Sequence, residues 1–173
     1  MKMKISLKKA TVEDFDAMYD ELERSFISEE RRDREDARRL INDGVYTVYH
    51  VLDSEARVGF VTVWELDGFA FVEHFVTYGR FRNMGYGSSA LELLKARYDK
   101  IVLEAEPPND NLTARRVAFY GRNGFCKNSQ YYFQPSYRKG GDGVELVIMS
   151  YPRLLDDFDS AVSKIYKKVY GKL

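Results

Sequence analysis

The chain has 173 residues, with 27 Lys plus Arg against 27 Asp plus Glu, so its formal net charge is zero when both histidines are neutral. At 45% hydrophobic and 14% aromatic it is a folding sequence, and a chain of this size buries roughly two thirds of the surface its unfolded form exposes. The balanced charge argues against a protein that wraps nucleic acid or lies on an anionic membrane, since both need a broad basic surface. It leaves room for one small anionic ligand held by a few local donors.

Cys126 is the only cysteine, so no disulfide forms within the chain and no thiolate metal site is supported. His50 and His74 are too few for a histidine-rich metal centre, and no metal is expected. The first nine residues contain no apolar run of signal length, and no stretch approaches the ~18 apolar residues of a membrane span. A reducing, cytoplasmic setting is expected.

Residues 3 to 9 alternate apolar and polar, which predicts a strand. Thr11 then caps a helix in which Phe15, Met18, Tyr19 and Leu22 recur at helical spacing, to about Ser25. The segment from Arg31 to Arg39 is dense in charges of both signs and reads as the solvated face of a helix ended by Gly44. Three strands follow: Val45–Val51, Val58–Glu65 and Phe69–Thr77, with turns at 53–55 and 67–68. A glycine- and arginine-rich segment, 79–87, leads into a helix to Tyr98, then a strand to Ala105 and a helix over Asn111–Arg122. Strands at about Phe125–Phe133 and Val144–Ser150 precede a last helix, about Leu154–Tyr170. This order predicts one α/β (α+β) domain spanning residues 1–173, with a core over about 3–150 and a C-terminal helical extension over about 153–173.

The chemistry is concentrated in Val76-Thr77-Tyr78-Gly79-Arg80-Phe81-Arg82-Asn83-Met84-Gly85-Tyr86-Gly87-Ser88-Ser89. An apolar strand ends, glycines follow, and a helix begins. Helix N-termini present unpaired N–H groups and partial positive charge, and glycines let a phosphate approach the backbone. Arg80 or Arg82 can add a charged fork. No Gly-Lys-Ser/Thr ending is present, so the segment is not a P-loop, and the glycine spacing does not suit a dinucleotide fingerprint. A tight strand-to-helix turn with no ligand remains the plain alternative.

Arg82-Asn83-Met84-Gly85-Tyr86-Gly87 resembles the Arg/Gln-x-x-Gly-x-Gly/Ala motif of the GNAT superfamily of N-acetyltransferases. A second match, the family's Tyr-x-x-x-Gly-Phe signature, lies within Phe119–Phe125, and the element order agrees over roughly residues 3 to 150. The resemblance implies a mixed, mostly antiparallel sheet with a splayed parallel strand pair, flanked by helices. It implies acetyl-CoA as co-substrate, bound by the backbone of Phe75, Val76 and Thr77 and by Arg82, Asn83, Met84, Gly85, Tyr86, Gly87 and Ser88. It implies direct attack of a primary amine on the thioester, with Tyr120 as the acid that protonates the leaving thiolate; the alternative for Tyr120 is core packing.

Glu73, alone among apolar neighbours on its strand, is the first candidate for the base, with Glu104, Glu106 or a held water as rivals. His74 points to the opposite side of the strand and suits a structural role. Thr113 stands where the family often has an asparagine that touches the cofactor arm, and Arg115 or Arg116 can reach CoA phosphates. The acceptor is a small molecule or peptide amine, with a pocket from the first two helices and the loop between the last two strands, near Tyr131–Tyr137. Neither nucleic acid nor membrane is an expected partner, and the chain is a monomer or homodimer. A non-catalytic acyl-CoA sensor on the same fold is the competing function.

Overall fold

Alternation along Ile5–Lys9 makes strand β1, whose Ile5 and Leu7 face a buried cluster of Val51, Val58, Tyr86 and Ala90. The structure is a computed structural model and describes residues 3–44 and 46–172. Thr11 opens a single 3-10 turn, Val12–Asp14, that leads straight into helix α1, Phe15–Ser25. Phe15, Met18, Tyr19 and Leu22 are its buried stripe, as their spacing predicts. Helix α2 is Arg34–Asp43, and Gly44 closes it in the left-handed conformation at φ +67°. It starts three residues later than the charge run, so Arg31 and Arg32 lie in the connecting loop rather than on a solvated helix face.

Strands β2 (Thr47–Asp53), β3 (Ala56–Leu66) and β4 (Phe69–Thr77) follow; the expected start at Val45 lies outside the described residues. Helix α3 is Tyr86–Arg97, β5 is Ile101–Ala105 and α4 is Asn111–Arg122. The expected strand over 125–133 is instead two short ones, β6 (Cys126–Lys127) and β7 (Tyr132–Gln134). Asn128 breaks it: its buried amide donates to Ser150 Oγ at 2.9 Å and its carbonyl accepts from the Leu155 N–H at 3.0 Å. After β8 (Val144–Tyr151), helix α5 runs only from Phe158 to Lys168, because the Asp157 side chain caps the Ser160 N–H and sets its start.

Among the described residues the eight strands are ordered β1-β2-β3-β4-β5-β8-β6, with β7 also on β8, and β4 and β5 are the parallel pair of a mixed sheet flanked by helices. The chain gathers into two compact units. One holds residues through Trp64 together with Val72–Arg97; the other holds Glu65–Phe71 and everything from Tyr98 on. Strand β4 therefore changes unit at Phe71/Val72: its start pairs toward β5, where the Ala70 N–H donates to Lys100 O at 2.9 Å, and its remainder belongs with β3. In the first unit Gly59 on β3 meets β4 so closely that a Cβ there would lie 2.1 Å from Val76 O. No helix among the described residues is long and apolar enough to cross a membrane.

Candidate active site

The end of β4 and the start of α3 build the segment expected to bind an anion. Phe75 and Phe81 pack on the Val51–Val58–Tyr86–Ala90 cluster, and Phe81 meets Tyr86 edge-on at 5.6 Å. The Tyr86 phenol donates to Asp53 Oδ2 at 2.8 Å, which ties the first turn of α3 to the β2–β3 hairpin. Arg82 Nε donates to Thr77 O at 3.2 Å, so the loop closes on the strand it leaves. Asn83 and Gly85 take left-handed backbone, φ +62° and +87°, and this turns the chain into the helix. The α-helical ladder begins where Ser89 N–H bonds Gly85 O at 3.1 Å. The N–H groups of Gly85 through Ser88 precede that ladder, and residues 82–85 are exposed. A CoA pyrophosphate fits this arrangement, since a Cβ built on Gly85 would meet only the Met3 methyl within 4 Å, at 3.5 Å.

Glu73 is buried on β4 with its side chain 2% exposed. Its Oε1 accepts from Arg32 Nη2 at 2.8 Å and its Oε2 from the Trp64 indole N–H at 3.1 Å. The Arg32 guanidinium also lies over the Trp64 ring, 5.3 Å from its centroid. Arg32, read from sequence as a solvated charge, is the residue sequence reasoning missed here; a carboxylate inside an apolar strand was the one signal that a cation had to come to it. His74 points elsewhere: its ring meets Phe26 at 4.6 Å and its Nε2–H donates to Glu30 O at 2.7 Å. Burial pushes His74 below the usual histidine value. Tyr19 completes the hold on this loop by donating its phenol to Arg32 O. Glu73, Trp64 and His74 of the sheet and Tyr19 of α1 thus pin the segment between α1 and α2.

In the second unit, the Tyr-x-x-x-Gly-Phe signature has a geometric meaning. Gly124 at φ +88° ends α4, Gly124 N–H bonds Gly121 O at 3.1 Å and Phe125 N–H bonds Tyr120 O at 3.0 Å. That is a Schellman closure, and its apolar partner contact is Phe125 on Tyr120, rings 5.8 Å apart. The motif fixes where the Tyr120 side chain sits, and burial pushes its phenol up to about 12. Thr113 caps the other end of α4: its hydroxyl accepts from Asp110 N–H at 3.1 Å and its own N–H donates to Asp110 Oδ1 at 2.8 Å. The hydroxyl is engaged in the cap.

Of the rival carboxylates, Glu106 pairs with Arg116 at the surface. Glu104 accepts from the phenols of Tyr132 and Tyr170. Cys126 is half-buried on β6, opposite Ser150. No group of three or more potential metal ligands occurs among the described residues.

The acetyltransferase (GNAT) family model matches residues 15–125. The chain belongs to the GNAT family of acetyltransferases. A solved structure assigned to the GNAT acetyltransferases, from Bacteroides thetaiotaomicron, shares 33% identity with a TM-score of 0.91, over 97% of this chain and 99% of that one. More distant solved structures share the fold. A chimera of the Vibrio cholerae spermidine N-acetyltransferase SpeG and hSSAT is 14% identical, with a TM-score of 0.59 over 85% of this chain and 94% of that one. Arabidopsis thaliana NAA60, solved with a bisubstrate analogue, is also 14% identical, with a TM-score of 0.64 over 86% of this chain and 97% of that one. No curated protein matches the chain. GNAT membership gives acetyl transfer as the general activity and acetyl-CoA as the family's co-substrate.

Proposed function

We propose that this GNAT protein transfers an acetyl group from acetyl-CoA to the nitrogen of a primary amine by direct attack. The observation that carries the reading is the loop into α3, where two left-handed residues turn the chain and the N–H groups of Gly85 through Ser88 precede the helix ladder. Arg82, Asn83, Met84, Gly85, Tyr86, Gly87 and Ser88 take the pyrophosphate there, and the backbone of Phe75, Val76 and Thr77 takes the pantetheine arm as an added strand. Thr113 serves by capping α4 and so holding the helix that carries Tyr120.

The amine nitrogen bonds the thioester carbon, the C–S bond breaks, and the nitrogen loses one proton. Tyr120 donates a hydrogen bond to the departing sulfur. Full proton transfer from a phenol at about 12 to a thiolate of ordinary pKa is uphill by roughly a thousandfold or more. Tyr120 therefore stabilises the thiolate as a donor, and the amine's proton supplies the eventual thiol. Both oxygens of Glu73 already accept hydrogen bonds. We assign Glu73 the holding of Arg32 and Trp64 beneath the acceptor loop, with the proton passing from the nitrogen through water to the thiolate.

The engaged state of Glu73 also favours a second reading, an acyl-CoA sensor without turnover. Thiol release from acetyl-CoA across a panel of amines and amine-bearing peptides, beside calorimetric CoA binding, decides between them. Release with any amine supports transfer; binding with no release on the whole panel supports the sensor.

A further inference from the structure

We infer that Asp53, at the turn between β2 and β3, is a positioning residue for CoA. Its carboxylate holds the loop into α3 from both sides in the posture that takes the pyrophosphate, and this rests on the reading of that loop as the CoA phosphate site.

Asp53 ends β2, opposite Ile5 of β1 and Ala56 of β3. Val51, two residues earlier on β2, packs in the cluster with Tyr86 and Ala90, so Asp53 stands on the same face of the strand. Its two oxygens have separate partners. Oδ2 accepts from the Tyr86 phenol at 2.8 Å, and Oδ1 accepts from the Lys4 N–H at 3.0 Å. The first bond fixes the opening turn of α3, just after Gly85. The second fixes the residue before β1, whose carbonyl also accepts from the Ser54 N–H at 2.9 Å. Met3, one residue earlier, has its methyl 3.5 Å from where a Cβ on Gly85 would lie. One carboxylate therefore reaches the loop by two routes, through Tyr86 and through Lys4 and Met3.

Backbone strain marks the same place. Among the described residues, Ser54 at φ +54° and Asn83 at φ +62° are the two non-glycine residues with left-handed backbone. One adjoins Asp53 and the other lies in the loop that Asp53 holds. Such conformations persist where surrounding contacts over-determine them, and they gather at functional sites. The tie itself is firm. The Tyr86 ring is buried and meets Phe81 edge-on, and the accepting Asp53 carboxylate raises its phenol above the ordinary value, so it stays a donor at working pH.

A carboxylate near a pyrophosphate opposes it through charge. Asp53 therefore helps binding through geometry alone, and the two effects separate by substitution. Asp53→Asn removes the charge and keeps both bonds, because its oxygen accepts from the Lys4 N–H while its amide N–H donates to the Tyr86 oxygen. Asp53→Ala removes charge and bonds together. Tyr86→Phe keeps the ring in its cluster and removes one route only.

The probes are CoA and pantetheine, which lacks the pyrophosphate. Both are titrated by calorimetry into the full chain well below its melting temperature, where a modest loss of stability does not enter the binding constant. Asp53→Ala is expected to weaken CoA about tenfold and to leave pantetheine within a factor of about two. Tyr86→Phe is expected to weaken CoA about threefold. Asp53→Asn is expected to bind CoA at least as tightly as the wild type. Unchanged or tighter CoA binding in Asp53→Ala overturns the inference, as does an equal loss for pantetheine or an Asp53→Asn protein as weak as Asp53→Ala. Should Asp53→Ala fail to fold, unchanged CoA affinity in Tyr86→Phe overturns it on its own. The expected losses in a protein that releases no thiol with any amine support the role of Asp53 and remove the acetyl-transfer reading; a wild type that binds no CoA overturns both.

Discussion

Arg32 and Glu73 form an ion pair at 2.8 Å with side chains only 14% and 2% exposed. Such a pair is costly to break from one side, because the remaining charge stays buried. Arg32→Met is expected to lower unfolding stability by about 3–5 kcal/mol, read by urea denaturation. Arg32→Met combined with Glu73→Leu, which removes both charges, should recover much of that loss. The order of these two stabilities is the test: a double variant less stable than Arg32→Met would mean that the pair itself, rather than the orphaned charge, carries the effect.

Glu73→Gln keeps one oxygen as acceptor, sets an NH2 donor in place of the other so that Arg32 and the Trp64 indole no longer have an oxygen each, and removes the charge. With Glu73 as anchor of the acceptor loop, the expected result is a raised KM for the amine and a pH–rate profile of unchanged shape. A profile that loses its acidic limb would make Glu73 the proton acceptor instead.

Tyr120→Phe leaves the Schellman closure and the Phe125 contact in place, because the ring stays. Its expected effect is a fall in kcat of about 10- to 100-fold, with CoA affinity within a factor of about two. Burial pushes the phenol up to about 12, so it is protonated across the usual assay range. The wild-type rate should show no alkaline limb from this group below about pH 10. Equal kcat in the variant would return Tyr120 to packing.

Gly59 and Gly85 separate fold from binding. A Cβ at Gly59 would lie 2.1 Å from Val76 O, so Gly59→Ala must push β3 and β4 apart. It is expected to lower both thermal stability and CoA affinity, since Val76 lies in the backbone assigned to the pantetheine arm. Gly85→Ala has room but must hold φ +87°. Its stability loss should be about 1–2 kcal/mol, with a distinct loss of CoA affinity as the loop relaxes. Unchanged affinity in Gly85→Ala would count against the loop as the phosphate site.

The legible parts of this protein were those written in local spacing. The α1 stripe Phe15–Met18–Tyr19–Leu22, the bounds of β4 and α4, and the two glycine motifs are all short-range patterns, and each dictates its own backbone. Arg32 was misread because charge density along the chain says nothing of a partner 41 residues away. Strand 125–133 was misread for the same kind of reason: Asn128 breaks it through bonds to residues 22 and 27 positions on. Tyr132 could be seen as one of a run of aromatics but not as a partner of Glu104, which lies on β5 and is shared with Tyr170 beyond α5. The glycine motif made the loop into α3 readable; the contacts of Glu73 and Glu104 are long-range and were not.

The histidines set an acid limit on stability. His74 is buried, and burial, with Arg32 and Arg31 also disfavouring a further charge, holds it below the usual value despite the opposing Glu73 and Glu30 carbonyl. Burial does the same for His50, with Arg57 and Lys8 adding to it, against Asp14, whose Oδ2 lies 3.2 Å from His50 Nε2. Both take up a proton more readily unfolded than folded. Their stabilising effect is therefore complete above about pH 6.5 and is lost progressively as pH falls below it. Asp14 acts in a lower window. Burial raises its pKa, but the Thr11 N–H, His50 and Arg57 outweigh that and hold it well below the usual carboxylate range. Its contribution is complete above about pH 4 and falls away beneath that. Melting temperatures are thus expected to be flat from about pH 8 to 7, to decline below 6.5, and to decline again below 4. His74→Gln, which keeps a donor for Glu30 O, should flatten the first decline, and a curve of unchanged slope in that variant would place the proton uptake elsewhere.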